Sequence, residues 1–183
     1  MTVLRTVAWP PAPIRTERLV LRESEARDRS AFVELFVSPE VGTYVGGPQP
    51  RADLERTLPD VPGRRPGFFV AELDGAMIGM VTLDPRDAEH PAHARPDAAA
   101  TELGYMFLQQ AWGFGYAAEA CAAVLDWFAD ALPGESVQLC TQTANAASMR
   151  VAVKLGFTEV EQFEEYGTQQ WLGVWSTSMA DPG

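Results

Sequence analysis

The spacing of apolar and polar residues changes period several times along the chain, and each change marks an element. In Thr101 to Leu108 (TELGYMFL), Leu103, Tyr105 and Phe107 alternate with Glu102, Gly104 and Met106, which predicts a β-strand. Gln110-Ala-Trp-Gly113-Phe-Gly115 then brings two glycines, which adopt at no cost backbone conformations that strain other residues. From Tyr116 the period becomes helical, with Ala117, Cys121, Val124, Leu125 and Phe128 on one face. A strand, a glycine turn and a helix start aim several main-chain N–H groups, and the positive end of a helix dipole, at one point. That geometry binds a phosphate or diphosphate.

The remaining pattern is read the same way. Glu17 to Arg22 (ERLVLR) predicts an opening strand, followed by a helix that Ser24 is placed to cap and that Ala31, Phe32, Leu35, Phe36 pack. Pro39 ends it. A glycine- and proline-rich loop leads to a short helix near Arg51 to Leu58. In Gly67 to Leu83, two apolar runs flank Asp74-Gly75, the signature of a β-hairpin with a type I′ turn. Asp84 to Asp97 is a polar loop. Beyond the central helix, Pro133-Gly134 breaks the chain, and Val137 to Thr141 predicts another strand. Asn145 caps a helix that Gly156 ends, and two closing strands turn near Tyr166-Gly167. The order predicts an α+β sandwich: a mostly antiparallel central sheet of about seven strands with helices on both faces. Residues 1–13, with three prolines, read as an N-terminal arm, and 14–178 as a single domain.

Composition narrows the partners. The 183 residues are 46% hydrophobic, so the chain folds, and its net charge of −11 repels nucleic acid and anionic membranes. The same charge attracts a cationic small molecule or basic peptide, though it also serves solubility. No apolar run reaches the ~20 residues of a membrane span, and no signal-peptide pattern opens the chain. Cys121 and Cys140 read as small core residues, which points to a cytoplasmic protein. No metal is expected, since His90 and His93 have no further ligand cluster to join.

Three readings of the glycine turn compete. A Walker phosphate loop is excluded, because no Lys-Ser/Thr pair follows the glycines. Gly113-Phe-Gly115-Tyr-Ala-Ala118 fits a dinucleotide fingerprint, yet the acidic residue some ~20 positions on is missing; a bare structural turn stays open. The third reading takes in more of the chain. Gln110-x-x-Gly113-x-Gly115 follows a strand beginning Glu-Leu-Gly-Tyr, and Asn145-x-x-Ser148-x-Arg150 and Lys154-Leu-Gly-Phe157 come later in order. Together they resemble the GNAT superfamily of N-acetyltransferases. With the opening Arg15-Thr-Glu-Arg-Leu-Val-Leu-Arg22 and Pro39-Glu-Val, they are most similar to its ribosomal-protein (Rim-like) branch.

That resemblance, which spans roughly Ile14 to Ser176, implies a GNAT-like fold and acetyl-CoA as cosubstrate. Gln110, Ala111, Trp112, Gly113, Phe114, Gly115, Tyr116 and Ala117 would hold its diphosphate, and Met106, Phe107 and Leu108 would line its pantetheine arm. Family members often carry a basic or polar residue where Phe114 stands. An N–H at Met106 or Phe107 would polarise the thioester carbonyl. The reaction implied is direct attack by a primary amine of a small molecule or protein N-terminus. Glu102 is the candidate base and Ser148 the candidate acid toward the leaving thiolate. Asn145 is a cap, a cosubstrate contact, or both, while Tyr44 and Tyr166 are further acceptor-site candidates. Glu102 as a plain strand residue and Ser148 as a first-turn serine are the alternatives. A non-catalytic acyl-CoA-binding sensor with the same fold is the rival reading, and exposed strand edges allow a homodimer.

Overall fold

The computed structural model describes residues 3–86, 99 and 101–177. Its eight-stranded mixed sheet has the order β1-β2-β3-β4-β5-β6-β8-β7. The strands are β1 (Ile14–Arg15), β2 (Val20–Arg22), β3 (Phe68–Leu73), β4 (Ala76–Pro85), β5 (Thr101–Phe107), β6 (Ser136–Gln142), β7 (Thr158–Glu165) and β8 (Thr168–Ser176). The helices are α1 (Arg29–Val37), α2 (Pro39–Gly42), α3 (Arg51–Thr57), α4 (Tyr116–Ala131) and α5 (Ala146–Leu155). The expected α+β class holds. The additional strand is β1, too short at two residues to leave a period in the sequence.

The chain divides into two compact units, one of Trp9–Thr82 with Tyr105–Val124 and the other of Met1–Ala8, Leu83–Gly104 and Leu125–Gly183. In the first, β1, β2, β3 and β4 form antiparallel ladders. Asp74 and Gly75 join β3 to β4 with φ of 51° and 85°, the type I′ turn that the dipeptide predicts. Phe32 and Leu35 of α1 pack with Phe68, Val70, Met77 and Leu108, and the Phe32 and Phe68 rings lie 5.7 Å apart. Trp9 packs edge-on against Phe69 at 5.1 Å.

The start of α1 departs from expectation. Ser24 does not cap it: this side chain is buried and its Oγ has no hydrogen-bond partner among the described residues. A 3-10 turn, Ala26–Asp28, intervenes, and Asp28 accepts from the Glu25 N–H at 2.8 Å. Asp28 also takes both Nη atoms of Arg22 at 2.8 Å, and Glu72 takes the Arg22 Nε at 2.5 Å. Arg22 and Asp28 are 8% and 2% exposed, so the carboxylate that would cap a surface helix instead satisfies a buried cation.

In the second unit, β6 runs parallel to β5 at Thr101 and Glu102, and antiparallel to β8 over its whole length. The Asn145 side chain accepts from the Ser148 N–H at 3.1 Å, and Gly156 ends α5 with φ of 86°. Tyr166 and Gly167, with φ of 50° and 74°, turn β7 into β8. Among the described residues, no helix is long and apolar enough to cross a membrane.

Candidate active site

Leaving β5, the chain makes a 3-10 turn, Gln109–Ala111, and the Trp112 indole N–H donates to the Phe107 carbonyl at 2.9 Å. The Leu108 N–H donates to the Ile78 carbonyl at 2.9 Å, which leaves both of these groups engaged within the protein. Gly113 and Gly115 follow with φ of 85° and 82°. No heavy atom lies within 4 Å of where a Cβ on Gly113 would sit, so conformation alone calls for glycine there. The first bond of α4 runs from the Glu119 N–H to the Gly115 carbonyl at 3.1 Å. Ahead of it, the N–H groups of Gly113, Phe114, Gly115, Tyr116, Ala117 and Ala118 donate to no main-chain carbonyl among the described residues. These six successive donors stand at the positive end of a 16-residue helix, where an anion is favoured.

The turn is exposed, with Trp112 at 47% and Phe114 at 58%, and the Phe114 ring stacks on Tyr116 at 5.6 Å. On α4, Ala118 and not Ala117 joins Cys121, Val124, Leu125 and Phe128 in the buried set. The helix is rotated slightly from the sequence expectation, with Ala117 half-buried toward the turn. Glu119 lies in the first turn, where its Oε2 accepts from the Thr16 hydroxyl at 2.6 Å and from the Arg18 N–H at 3.1 Å. Its Oε1 accepts from the Arg18 Nε at 2.8 Å. Burial pushes the Glu119 carboxyl up, but the hydrogen bonds from Thr16 and Arg18 outweigh it and hold the group below its ordinary value. Sequence reading missed Thr16, Arg18 and Glu119 as parts of this turn. The traces they left were the Arg15–Arg22 stretch and the acidic residue inside GYAAEA.

Glu102, the candidate base, lies on β5 opposite Gln138 of β6. The Gln138 amide donates to the Glu102 carboxylate at 2.7 Å; Gln138 is fully buried and its Oε1 has no partner among the described residues. The ladder between β5 and β6 stops at this pair. Cys140 follows two residues later on β6, and its thiol is pushed up to about 12 by burial, with the Glu102 and Glu165 charges adding to the effect. It therefore stays protonated at neutral pH, and burial likewise pushes the Cys121 thiol up. Ser148, the candidate acid, is 7% exposed in the first turn of α5, directly above the Asn145 cap. Tyr44 is 38% exposed in the loop after α2, and Tyr166 is 85% exposed at the β7–β8 turn. His90 and His93 lie outside the described residues, among which no group of three metal-ligating side chains occurs.

Known proteins resemble this chain in sequence and fold. An acetyltransferase (GNAT) domain profile matches residues 18–158. The Bacillus subtilis protein YkkB is 32% identical over 148 residues, 77% of this chain and 82% of its own length. The Aspergillus fumigatus FsC-acetyl coenzyme A-N(2)-transacetylase is 30% identical over 160 residues, 82% of this chain and 66% of its own length. Among solved structures, a GNAT-family acetyltransferase from Bacillus anthracis superposes with a TM-score of 0.72 at 20% identity, covering 90% of this chain and 98% of that one. RimL, a ribosomal α-N-protein acetyltransferase solved with coenzyme A, superposes with a TM-score of 0.69 at 15% identity, covering 90% and 98%. The family match and the relatives thus define an acyltransferase, and the chain belongs to the GNAT acetyltransferase family.

Proposed function

We propose that the chain transfers the acetyl group of acetyl-CoA to the primary amine of a cationic small molecule or a protein N-terminus. The observation that carries this reading is the row of six N–H groups from Gly113 to Ala118 that have no main-chain acceptor among the described residues, which suits a diphosphate. Acetyl-CoA supplies the acyl group as a thioester, and the residues from Gln110 to Ala117 hold its diphosphate. Met106, Phe107 and Leu108 line the pantetheine arm on the part of β5 that lies beyond the ladder to β6. The N–H of Met106 or Phe107 stabilises the oxyanion that develops on attack.

An alkyl ammonium, with an ordinary pKa of about 10.4, is mostly protonated at neutral pH, so a base is needed. Glu102 takes that proton. It accepts the proton directly or through water. The buried Gln138 amide fixes the Glu102 carboxylate. Ser148 protonates the departing thiolate, and Asn145 holds the α5 start on which Ser148 sits. A cationic acceptor is favoured because the chain carries a net charge of −11. The opening-strand and turn motifs support the Rim-like branch.

Titration calorimetry with acetyl-CoA, and thiol release over a panel of polyamines, aminoglycosides and peptides, test the reading. Expected is binding together with acceptor-dependent release of coenzyme A. No heat at acetyl-CoA up to about 1 mM would end it. Binding without thiol release on any amine would favour the non-catalytic sensor.

A further inference from the structure

Phe114 leaves the exposed glycine turn without a cation of its own, yet the fold brings one there from the other end of the sequence. Arg18, in the connection between β1 and β2, is held against the first turn of α4 by partners 101 residues away. Its Nε and main-chain N–H both bond Glu119, and its guanidinium carbon lies 4.4 Å from the centroid of the Tyr116 ring. Thr16 fixes the same carboxylate from the far side. These contacts set the plane of the guanidinium while leaving its two outer nitrogens without an acceptor among the described residues. Nη2 lies 3.6 Å from where a Cβ on Gly115 would sit, beside the row of unpaired N–H groups. The side chain is 38% exposed, so a ligand reaches it from solvent.

We infer that Arg18 binds the diphosphate of the cosubstrate, supplying the positive charge that position 114 lacks, a role that rests on the acetyl-CoA reading above. A guanidinium suits this task because its fork serves two partners at once: Nε is committed to Glu119, and the two Nη groups remain as paired donors for phosphate oxygens. Glu119 then acts as a positioning residue. Its own negative charge in the first turn of α4 would disfavour an anion there, and Arg18 offsets that charge while keeping donors to spare. A simpler role, in which Arg18 only neutralises Glu119, makes a different prediction.

The experiment measures Kd by calorimetry for coenzyme A and for dephospho-coenzyme A, which keeps the diphosphate and lacks the 3′-phosphate. Wild type is compared with Arg18→Gln and with the double variant Arg18→Gln/Glu119→Gln, each first checked for folding by circular dichroism. Arg18→Gln is expected to weaken both ligands by about tenfold, the scale of a lost charge-assisted hydrogen bond. The double variant is expected to stay weakened. Recovery of wild-type Kd in the double variant would overturn the inference, since Arg18 would then serve only to offset Glu119. An effect seen with coenzyme A and absent with dephospho-coenzyme A would overturn it too, by moving the contact to the 3′-phosphate. Should Arg18→Gln fail to fold with Glu119 left unpaired, the double variant carries the same test. Failure of the wild type to bind coenzyme A would sink the proposed function instead, so the two failures are distinguishable.

Discussion

Replacing Gly113 by alanine isolates what the turn's backbone conformation contributes. The φ of 85° is strained for any residue with a Cβ, at a cost of about 1–2 kcal/mol. No clash adds to this, because the space around the new methyl is open to 4 Å. If the turn keeps its shape, the folded state loses that energy. If the turn relaxes, the N–H groups of Gly113 and Phe114 swing away, and the loss reappears as a roughly 5- to 30-fold weaker Kd for coenzyme A. Gly134, just after α4, provides a matched control: its φ is 87° and the space about it is equally open. Calorimetry with coenzyme A and urea denaturation are run on both variants. Gly134→Ala is expected to lose stability and keep the wild-type Kd, whereas Gly113→Ala should bind at least about fivefold more weakly. If Gly113→Ala keeps both its urea stability and the wild-type Kd, the turn has relaxed at no cost to binding and its N–H groups do not hold the diphosphate.

Three further perturbations separate chemistry from architecture. Glu102→Gln should lower kcat by about 10²–10⁴ with acetyl-CoA affinity retained; unchanged kcat in the thiol-release assay removes Glu102 as the base. Asp28→Ala strips the buried Arg22 of its bidentate partner and should cost about 3–5 kcal/mol in urea unfolding, nearer the lower figure because Glu72 remains. The same cluster sets an acid limit. Burial pushes Asp28 up, but Arg22 and the Glu25 N–H outweigh it, while Arg22 first and Arg27 after it lower Glu72 despite partial burial. Both folded values lie below the unfolded ones. Their stabilisation is therefore present above about pH 4 and is lost as pH falls through the lowered native values, an acid loss that Asp28→Ala should blunt. Gly79→Ala would set a Cβ 2.5 Å from the Phe107 ring and 2.6 Å from the Met106 carbonyl, so a loss of about 1–3 kcal/mol is expected in the same assay.

Features written into a few neighbouring residues were legible in the chain. Asp74-Gly75 specified its turn because the required positive φ values suit that dipeptide, and Asn145 and Gly156 bounded α5 by capping and termination, both short-range effects. Gly113 and Gly115 marked a turn with positive φ for the same reason: backbone conformation is a local property. Ser24 shows the limit of such reading. As a cap it competed with Asp28, and Asp28 closed the turn because burial of Arg22 demanded a carboxylate there.

What the tertiary structure alone decided are partnerships between polar side chains far apart in sequence. Arg18 meets Glu119 across 101 residues, and Gln138 meets Glu102 across 36; neither pair has a period or motif to betray it. Such pairs arise when sheet register and helix rotation bring side chains within hydrogen-bond distance, and both depend on the packing of the whole chain. Local sequence therefore determined the glycine turn and the strand that leads to it. Packing determined that Arg18 stands beside that turn and that a buried amide holds Glu102, because electrostatic and hydrogen-bond partners are chosen by distance in space.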